Sequence, residues 1–176
     1  AEYAAASGGM FLDMTIHDFD MAAYQAGSPV EEVYAVGAVT VDPAIGEAGD
    51  IDTAIITLKF ENGAIGVIDN CRQAVYGYDQ RVEVFGTKGA AAADNDTETN
   101  VTVSTKECVS KDKPLFFFLE RYMQSFGDEV REFIKAIQNG TDVPVGIQDG
   151  LAPIKIAQAA NLSMKEHRPV KLSEIK

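Results

Sequence analysis

The sequence has few basic residues and no long apolar run. Its 176 residues include 15 Lys and Arg against 27 Asp and Glu, which gives a formal net charge of −12. A nucleic-acid surface needs clustered Lys and Arg, so we expect no nucleic-acid partner. No apolar stretch approaches the roughly 20 residues of a membrane-spanning helix, so we expect no membrane partner either.

Cysteine is also scarce. Cys71 and Cys108 are the two cysteines of the chain, and neither belongs to a Cys-x-x-Cys motif. This spacing predicts neither a disulfide framework nor a zinc or other metal site. Isolated cysteines are typical of a reducing compartment, so we expect a cytoplasmic protein.

The common phosphate-binding and nucleophile motifs are absent from this sequence. It contains no Gly-x-Gly-x-x-Gly, no P-loop and no Gly-x-Ser-x-Gly. The glycines at 86 and 89 fit a turn between two strands. The chain by itself therefore contains no recognisable cofactor cradle.

The apolar pattern that is present predicts a single α+β domain over residues 1–176. An apolar face every three or four residues indicates helices over about 13–26, 122–137 and 150–167. Strand signals lie between and after them. The predicted strands are 33–41, 53–60, 64–72, 81–85, 90–93, 101–105 and a last edge strand at 170–172.

These elements form an open, mostly antiparallel sheet in this interpretation, with helices on one of its faces. Asn62-Gly63 predicts a tight hairpin turn between two of its strands. Apolar residues occur on both sides of the strands, as in Ile55-Ile56 and Val67-Ile68. We therefore expect the second sheet face to be a subunit interface.

Asp13 and His17 are the first candidates for chemistry, because the chain has only two histidines. On a continuous helix, residues four apart share one face within hydrogen-bond reach. A carboxylate beside an imidazole can orient a general base that takes a proton from an alcohol. The spacing alone favours the simpler alternative, a helix N-terminus in which Asp13 is a cap and His17 a surface residue.

Arg72, Tyr76 and Tyr78 form a second candidate group, at the end of a predicted strand. Their side chains could hydrogen-bond a polyhydroxylated ligand, and Arg121 could reach the same pocket. The alternative is a tyrosine-rich loop that packs on the core. The residues alone favour the packing loop.

The run from Ser7 to Ala22, SGGMFLDMTIHDFDMA, resembles the signature of the inositol 2-dehydrogenases. These enzymes belong to the glucose-fructose oxidoreductase/inositol dehydrogenase/MocA-type family. The resemblance continues through residues 69–72, 76–86, 120–122 and 149–153, so it covers nearly the whole chain.

The resemblance is to the second half of such enzymes. It implies a C-terminal substrate-binding and oligomerisation domain, with a Rossmann domain and its catalytic lysine outside this chain. NAD would be bound mainly by that other domain, so the isolated chain is predicted to bind no cofactor and to be inactive. The implied partners are a polyol substrate, the Rossmann domain and further copies in a homodimer or homotetramer.

The resemblance also implies roles for individual residues. His17 matches the general base that deprotonates the substrate hydroxyl, and Asp13 matches the residue that orients it. One of Tyr76 and Tyr78 matches a pocket tyrosine. The implied reaction is the NAD-dependent oxidation of myo-inositol at a ring hydroxyl.

Two other functions remain open at this point. The chain could belong to a dehydrogenase for another sugar or polyol, since an Asp-x-x-x-His pair does not select among polyols. It could also be a non-catalytic assembly or binding module. The choice of inositol isomer, of NAD over NADP, and of oligomer number is not decided by these residues.

Overall fold

The computed structural model describes residues 2–176 of the chain. Its elements follow one another as α1 Glu2–Ala6, α2 Met10–Asp13, α3 Thr15–Ala26, β1 Val30–Ala38, α4 Pro43–Glu47, β2 Thr53–Phe60, β3 Ile65–Cys71, β4 Val82–Gly86, β5 Gly89–Ala93, β6 Thr102–Ser104, β7 Val109–Lys111, α5 Phe118–Asn139, α6 Ile147–Glu166, β8 Val170–Lys171 and a short 3₁₀ helix Leu172–Glu174.

The chain divides into two compact units, where the sequence predicts one domain. The first unit comprises residues 1–73 and 145–176, and the second comprises residues 74–144. The second unit is therefore an insertion between β3 and α6. We describe each unit by itself.

A four-stranded antiparallel sheet organises the first unit, in the order β3-β2-β1-β8. The hairpin at Asn62-Gly63 joins β2 to β3, as predicted. The last strand, β8, pairs with β1 at Glu32 and Val33, although well over a hundred residues separate them in sequence. This sheet confirms the α+β class and the mostly antiparallel strand pairing.

Helices α2, α3 and α6 cover one face of this sheet. Phe11 and Phe19 from the helices are fully buried against Val33, Ile56 and other residues of the strands. Complete burial of one such side chain stabilises the fold by about 1.5–3 kcal/mol. Buried and exposed residues alternate along β2, because its even-numbered residues face the helices and its odd-numbered residues face away from them.

The opposite face of the sheet is open in this chain. Ile55 is 52% exposed, Val67 is 69% exposed and Ile65 is 85% exposed. Tyr34 and Val36 of β1 are also exposed. The two-sided apolar pattern of the sequence therefore corresponds to one packed face and one apolar face in solvent.

Asp52 anchors the loop that connects β1 to α4. Its carboxylate is fully buried and accepts hydrogen bonds from the backbone N–H groups of Thr40, Val41 and Asp42, at 2.8–2.9 Å. Burial alone would raise the pKa of Asp52. These donors, with the Thr53 hydroxyl, outweigh it and hold the pKa below its ordinary value.

The second unit differs from the single meander that the sequence predicts. Strands β4 and β5 form one hairpin, β6 and β7 form another, and neither joins the four-stranded sheet of the first unit. The strand β7 was not predicted. Three-residue strands such as β6 and β7 contain too little pattern to specify a partner.

Two helical segments also differ from prediction. Residues 42–50 lie between two predicted strands and contain a helix, α4, which begins at Pro43 after an Asp42 cap. The predicted front helix over 13–26 is two helices, α2 and α3, which meet at Met14. Among residues 2–176, no helix is both long enough and apolar enough to cross a membrane.

Candidate functional site

The break between α2 and α3 separates Asp13 from His17. Asp13 is the last residue of α2, Met14 is a turn residue, and His17 lies in the first turn of α3. The His17 N–H bonds to the Met14 carbonyl at 3.3 Å, three residues back, so the regular helical ladder is interrupted here. The prediction that both residues lie on one continuous helix is therefore wrong.

The Asp13 carboxylate is bonded to other partners on both of its oxygens. Oδ1 accepts a hydrogen bond from the Tyr3 hydroxyl at 2.7 Å, and Oδ2 accepts one from Arg72 at 2.9 Å. No Asp13–His17 hydrogen bond is present within the described chain. The hydrogen bond to the Asp13 carboxylate, together with its negative charge, raises the pKa of Tyr3.

Gly8 and Gly9 bring Tyr3 back over Asp13. Their φ angles of 91° and 86° lie in the left-handed region, which glycine adopts without steric cost. The chain therefore reverses between α1 and α2. Tyr3 was not among the predicted site residues, because nothing in the sequence links it to Asp13.

Arg72 forms an ion pair with two carboxylates. Its Nη1 bonds to Asp13 and its Nη2 bonds to Asp50, both at 2.9 Å, and only 12% of the Arg72 side chain is exposed. Burial acts to lower the pKa of Arg72, but the hydrogen bonds and charges of Asp13 and Asp50 raise it overall. The guanidinium is therefore permanently charged and engaged within the protein.

Asp50 completes this chain of contacts. Its Oδ1 accepts a hydrogen bond from the backbone N–H of Met10, the first residue of α2, at 3.0 Å. Asp50 was not predicted as a site residue. It follows Gly49 in an acidic loop, and its two partners are 22 and 40 residues away in sequence.

A second group of polar contacts surrounds the start of α3. The Thr15 hydroxyl donates to Asn70 Oδ1 at 2.5 Å, and Asn70 Nδ2 donates to Asp18 Oδ2 at 2.9 Å. Thr15 is fully buried. Thr15 and Asp18 flank His17 in sequence, and the His17 side chain itself is exposed.

In the second unit, Tyr76 belongs to a cluster centred on Asp79. The Asp79 carboxylate accepts hydrogen bonds from Arg81, Tyr76 and Asn95. The Arg81 hydrogen bond is the main cause that lowers the pKa of Asp79 to about 2, against the opposing effect of burial. The Tyr76 hydroxyl is thus bound to a carboxylate that stays ionised.

Tyr78 and Arg121 have other neighbours in the same unit. Tyr78 packs edge-on against Tyr122, with ring centroids 5.9 Å apart. Arg121 bonds to Asp96 at 2.6 Å and lies over the Tyr122 ring. A role for Tyr76, Tyr78 and Arg121 in substrate binding stays a prediction.

The described residues contain no Rossmann-type dinucleotide-binding unit. All strand pairs of the described chain are antiparallel. A dinucleotide fold needs parallel strands joined by a helix, with a glycine-rich turn at the helix N-terminus. Residues 2–176 likewise bring together no group of three or more His, Cys, Asp and Glu that could hold a metal ion.

Comparison with known proteins decides the family. Residues 2–172 match the sequence model of a protein family, the C-terminal alpha/beta domain of the Gfo/Idh/MocA oxidoreductase family. The chain belongs to this family. The match confirms the resemblance that the Ser7–Ala22 run and the later segments indicated.

Two curated relatives extend this result. An uncharacterized oxidoreductase of Bacillus subtilis is 59% identical over 97% of this chain, which covers 50% of that protein. Myo-inositol 2-dehydrogenase of Thermotoga maritima is 52% identical over 99% of this chain, covering 52% of the enzyme. The chain thus spans about half the length of the curated relatives it matches.

A solved structure adds the ligands of one family member. Scyllo-inositol dehydrogenase from Lactobacillus casei, crystallised with NAD(H) and scyllo-inositol, superposes with a TM-score of 0.86. It is 31% identical, and the match covers 98% of this chain and 51% of that one. The fold of this chain is therefore the fold of the family's C-terminal domain.

Proposed function

We propose that this chain is the substrate-binding domain of an NAD-dependent inositol 2-dehydrogenase. The observation that carries the proposal is the 52% identity to a myo-inositol 2-dehydrogenase over 99% of the chain. The ion-paired carboxylate of Asp13 and the exposed side chain of His17 support it. NAD is the cofactor named for a scyllo-inositol 2-dehydrogenase of Bacillus subtilis that is 31% identical to this chain.

In this proposal His17 takes the proton of the substrate hydroxyl as the carbon that bears this hydroxyl is oxidised to a carbonyl. An imidazole is suited to this step because its ordinary pKa lies close to neutral pH. The Asp13 carboxylate, held by Tyr3 and Arg72, provides a fixed hydrogen-bond acceptor near the reacting hydroxyl. Oxidation also requires a hydride acceptor, and nicotinamide chemistry supplies it from outside the described residues.

The proposal includes assembly through the open sheet face. Ile55, Ile65 and Val67 present a contiguous apolar surface, which a soluble protein usually covers with a partner. A second copy of the chain, in a homodimer or homotetramer, is the partner we propose. We also propose a cytoplasmic location, since Cys71 and Cys108 are both free and exposed.

The two histidines of the chain allow a matched test of the reaction. His17→Asn and His167→Asn make the same chemical change at two positions. His167 is a helix-end residue with φ 54°, a conformation that Asn tolerates well. In the enzyme that contains this chain and its nucleotide-binding segment, we expect His17→Asn to lower kcat for myo-inositol by about 10²–10⁴-fold.

The control variant His167→Asn should leave kcat within about twofold of wild type. Equal losses in both variants would contradict the assignment of His17. Reduction of NAD by the 176-residue chain alone would contradict the assignment of cofactor binding to another segment. A panel of inositol isomers, hexoses and other polyols would show whether another polyol is the preferred substrate, and inactivity on all of them would favour a non-catalytic module.

A further inference from the structure

The end of β3 presents two polar side chains to the helices. Asn70 and Arg72 are two residues apart, so in an extended chain their side chains project to the same side. Cys71, between them, is exposed. The Arg72 N–H bonds to the Asp52 carbonyl at 2.8 Å, so the extended pairing continues past the last strand residue.

Asn70 contacts the first turn of α3 through both ends of its amide. Its oxygen accepts a hydrogen bond from the buried Thr15 hydroxyl, and its nitrogen donates to Asp18. Thr15 and Asp18 lie on either side of His17 in the chain. Asn70 therefore fixes the rotation of α3 about its own axis at the turn that carries His17.

Arg72 is linked to both ends of α2, directly at one end and through Asp50 at the other. It bonds directly to Asp13 at the C-terminus of α2, and Asp50, its other partner, bonds to the Met10 N–H at the N-terminus. The four-residue helix α2 is therefore held as a unit. Its position is set by the burial of Met10 and Phe11 and by this ion pair, and not by a continuous helix with α3.

We propose that Asn70 and Arg72 are positioning residues that set the orientation of His17 relative to Asp13. The regular helical ladder is interrupted at Met14, so no continuous helix sets the positions of α2 and α3, although Met14 bonds to both Met10 and His17. The end of β3 adds a side-chain link between the two helices, since it contacts one helix through Asn70 and the other through Arg72. The assignment of catalysis to His17 rests on the proposed function, whereas the link itself does not.

This proposal gives Arg72 a role different from the substrate contact that the sequence predicts. Both terminal nitrogens of its guanidinium already bond to carboxylates, and the side chain is largely buried. A substrate hydroxyl would have to compete with two charged acceptors. The geometry therefore favours action through Asp13 over direct contact with a polyol.

Histidine-ring NMR on the 176-residue chain tests the relative placement of α2 and α3 without an activity measurement. The spectrum contains the signals of two imidazole rings, those of His17 and His167. We expect Arg72→Lys and Asn70→Ala each to move the His17 signal by more than its linewidth and to leave the His167 signal in place. Arg168→Lys is the matched control, because Arg168 is also paired with two carboxylates, Glu166 and Glu174, but beside His167.

The control variant should move the His167 signal and leave that of His17 unchanged. Asp50→Asn is a milder change for the case that Arg72→Lys unfolds the chain. It retains Arg72 and its bond to Asp13, and it weakens only the contacts through Asp50 to the N-terminus of α2. It should move the His17 signal in the same direction as Arg72→Lys. An unchanged His17 signal in Asp50→Asn and in Asn70→Ala would overturn the proposal.

Steady-state kinetics of the complete enzyme then separate positioning from substrate contact. We expect Arg72→Lys to lower kcat for myo-inositol by about 10- to 100-fold, with KM within about threefold of wild type. A raised KM with unchanged kcat would assign Arg72 to substrate binding and overturn the proposal. An inactive wild-type enzyme would instead refute the proposed function, and the NMR result would still decide the positioning role.

Discussion

Ser163 joins helix α6 to the central strand β1, and its removal should destabilise the first unit. The Ser163 hydroxyl accepts a hydrogen bond from the Ala35 N–H at 3.0 Å and donates one to the Arg168 carbonyl at 2.6 Å. Strand β8 pairs with β1 only at Glu32 and Val33. The hydroxyl therefore takes the place of a strand partner beyond the end of β8.

The cost of Ser163→Ala follows from these two bonds. A buried N–H that loses its acceptor costs about 1–3 kcal/mol, and the lost bond to the Arg168 carbonyl adds about 0.5–1.5 kcal/mol. Alanine favours the helix over serine by about 0.5 kcal/mol, which offsets only a small part. We expect a net decrease of about 1–4 kcal/mol in the free energy of unfolding.

Urea unfolding followed by circular dichroism measures this decrease, and amide exchange at Ala35 reports the local effect. Protection of the Ala35 amide should fall more than that of its neighbours in β1. Ser173→Ala is the control, because Ser173 is exposed and its replacement should change stability by less than about 0.5 kcal/mol. Equal stability of Ser163→Ala and Ser173→Ala, with Ala35 still protected, would refute this reasoning.

Two further predictions concern ionisation. Because the pKa of Asp79 is lowered to about 2, its ionised form stabilises the fold above the unfolded pKa near 4, and this contribution is lost as the pH falls through about 2. The difference in melting temperature between wild type and Asp79→Asn should therefore shrink from pH 5 to pH 2; a constant difference would contradict the mechanism. In Asp13→Asn, the raised pKa of Tyr3 should fall back toward its ordinary value of about 10. NMR titration of the Tyr3 ring checks this, with Asp20→Asn as a control that should have no effect.

Local patterns in the sequence were enough to locate most of the regular structure. The strand predicted over 53–60 has the bounds of β2, and the helix predicted to end near residue 26 ends there, at the left-handed Gly27. Asn62-Gly63 predicts the hairpin between β2 and β3. These features depend on neighbouring residues, whose preferences act within one turn or one strand.

Other parts of the fold depend on contacts that local patterns do not encode. The separation of β4–β7 from the main sheet is one example, because an alternating strand shows which side is apolar but not which strand lies beside it. The helix break at Met14 is another. Residues 13–26 have a helical period throughout, whereas the two pieces bond to different residues that are distant in sequence, Asp13 to Arg72 and Thr15 to Asn70.

The candidate site shows the same division. The sequence by itself was enough to propose Asp13 and His17 as candidates, whose roles stay predictions, and, through its resemblance, to indicate the family that the comparisons confirm. Only the tertiary structure showed that Asp13 pairs with Tyr3 and with Arg72, which is 59 residues away. Ion pairs and buried hydrogen bonds form between groups that folding brings together, so the spacing of residues along the chain does not reveal them.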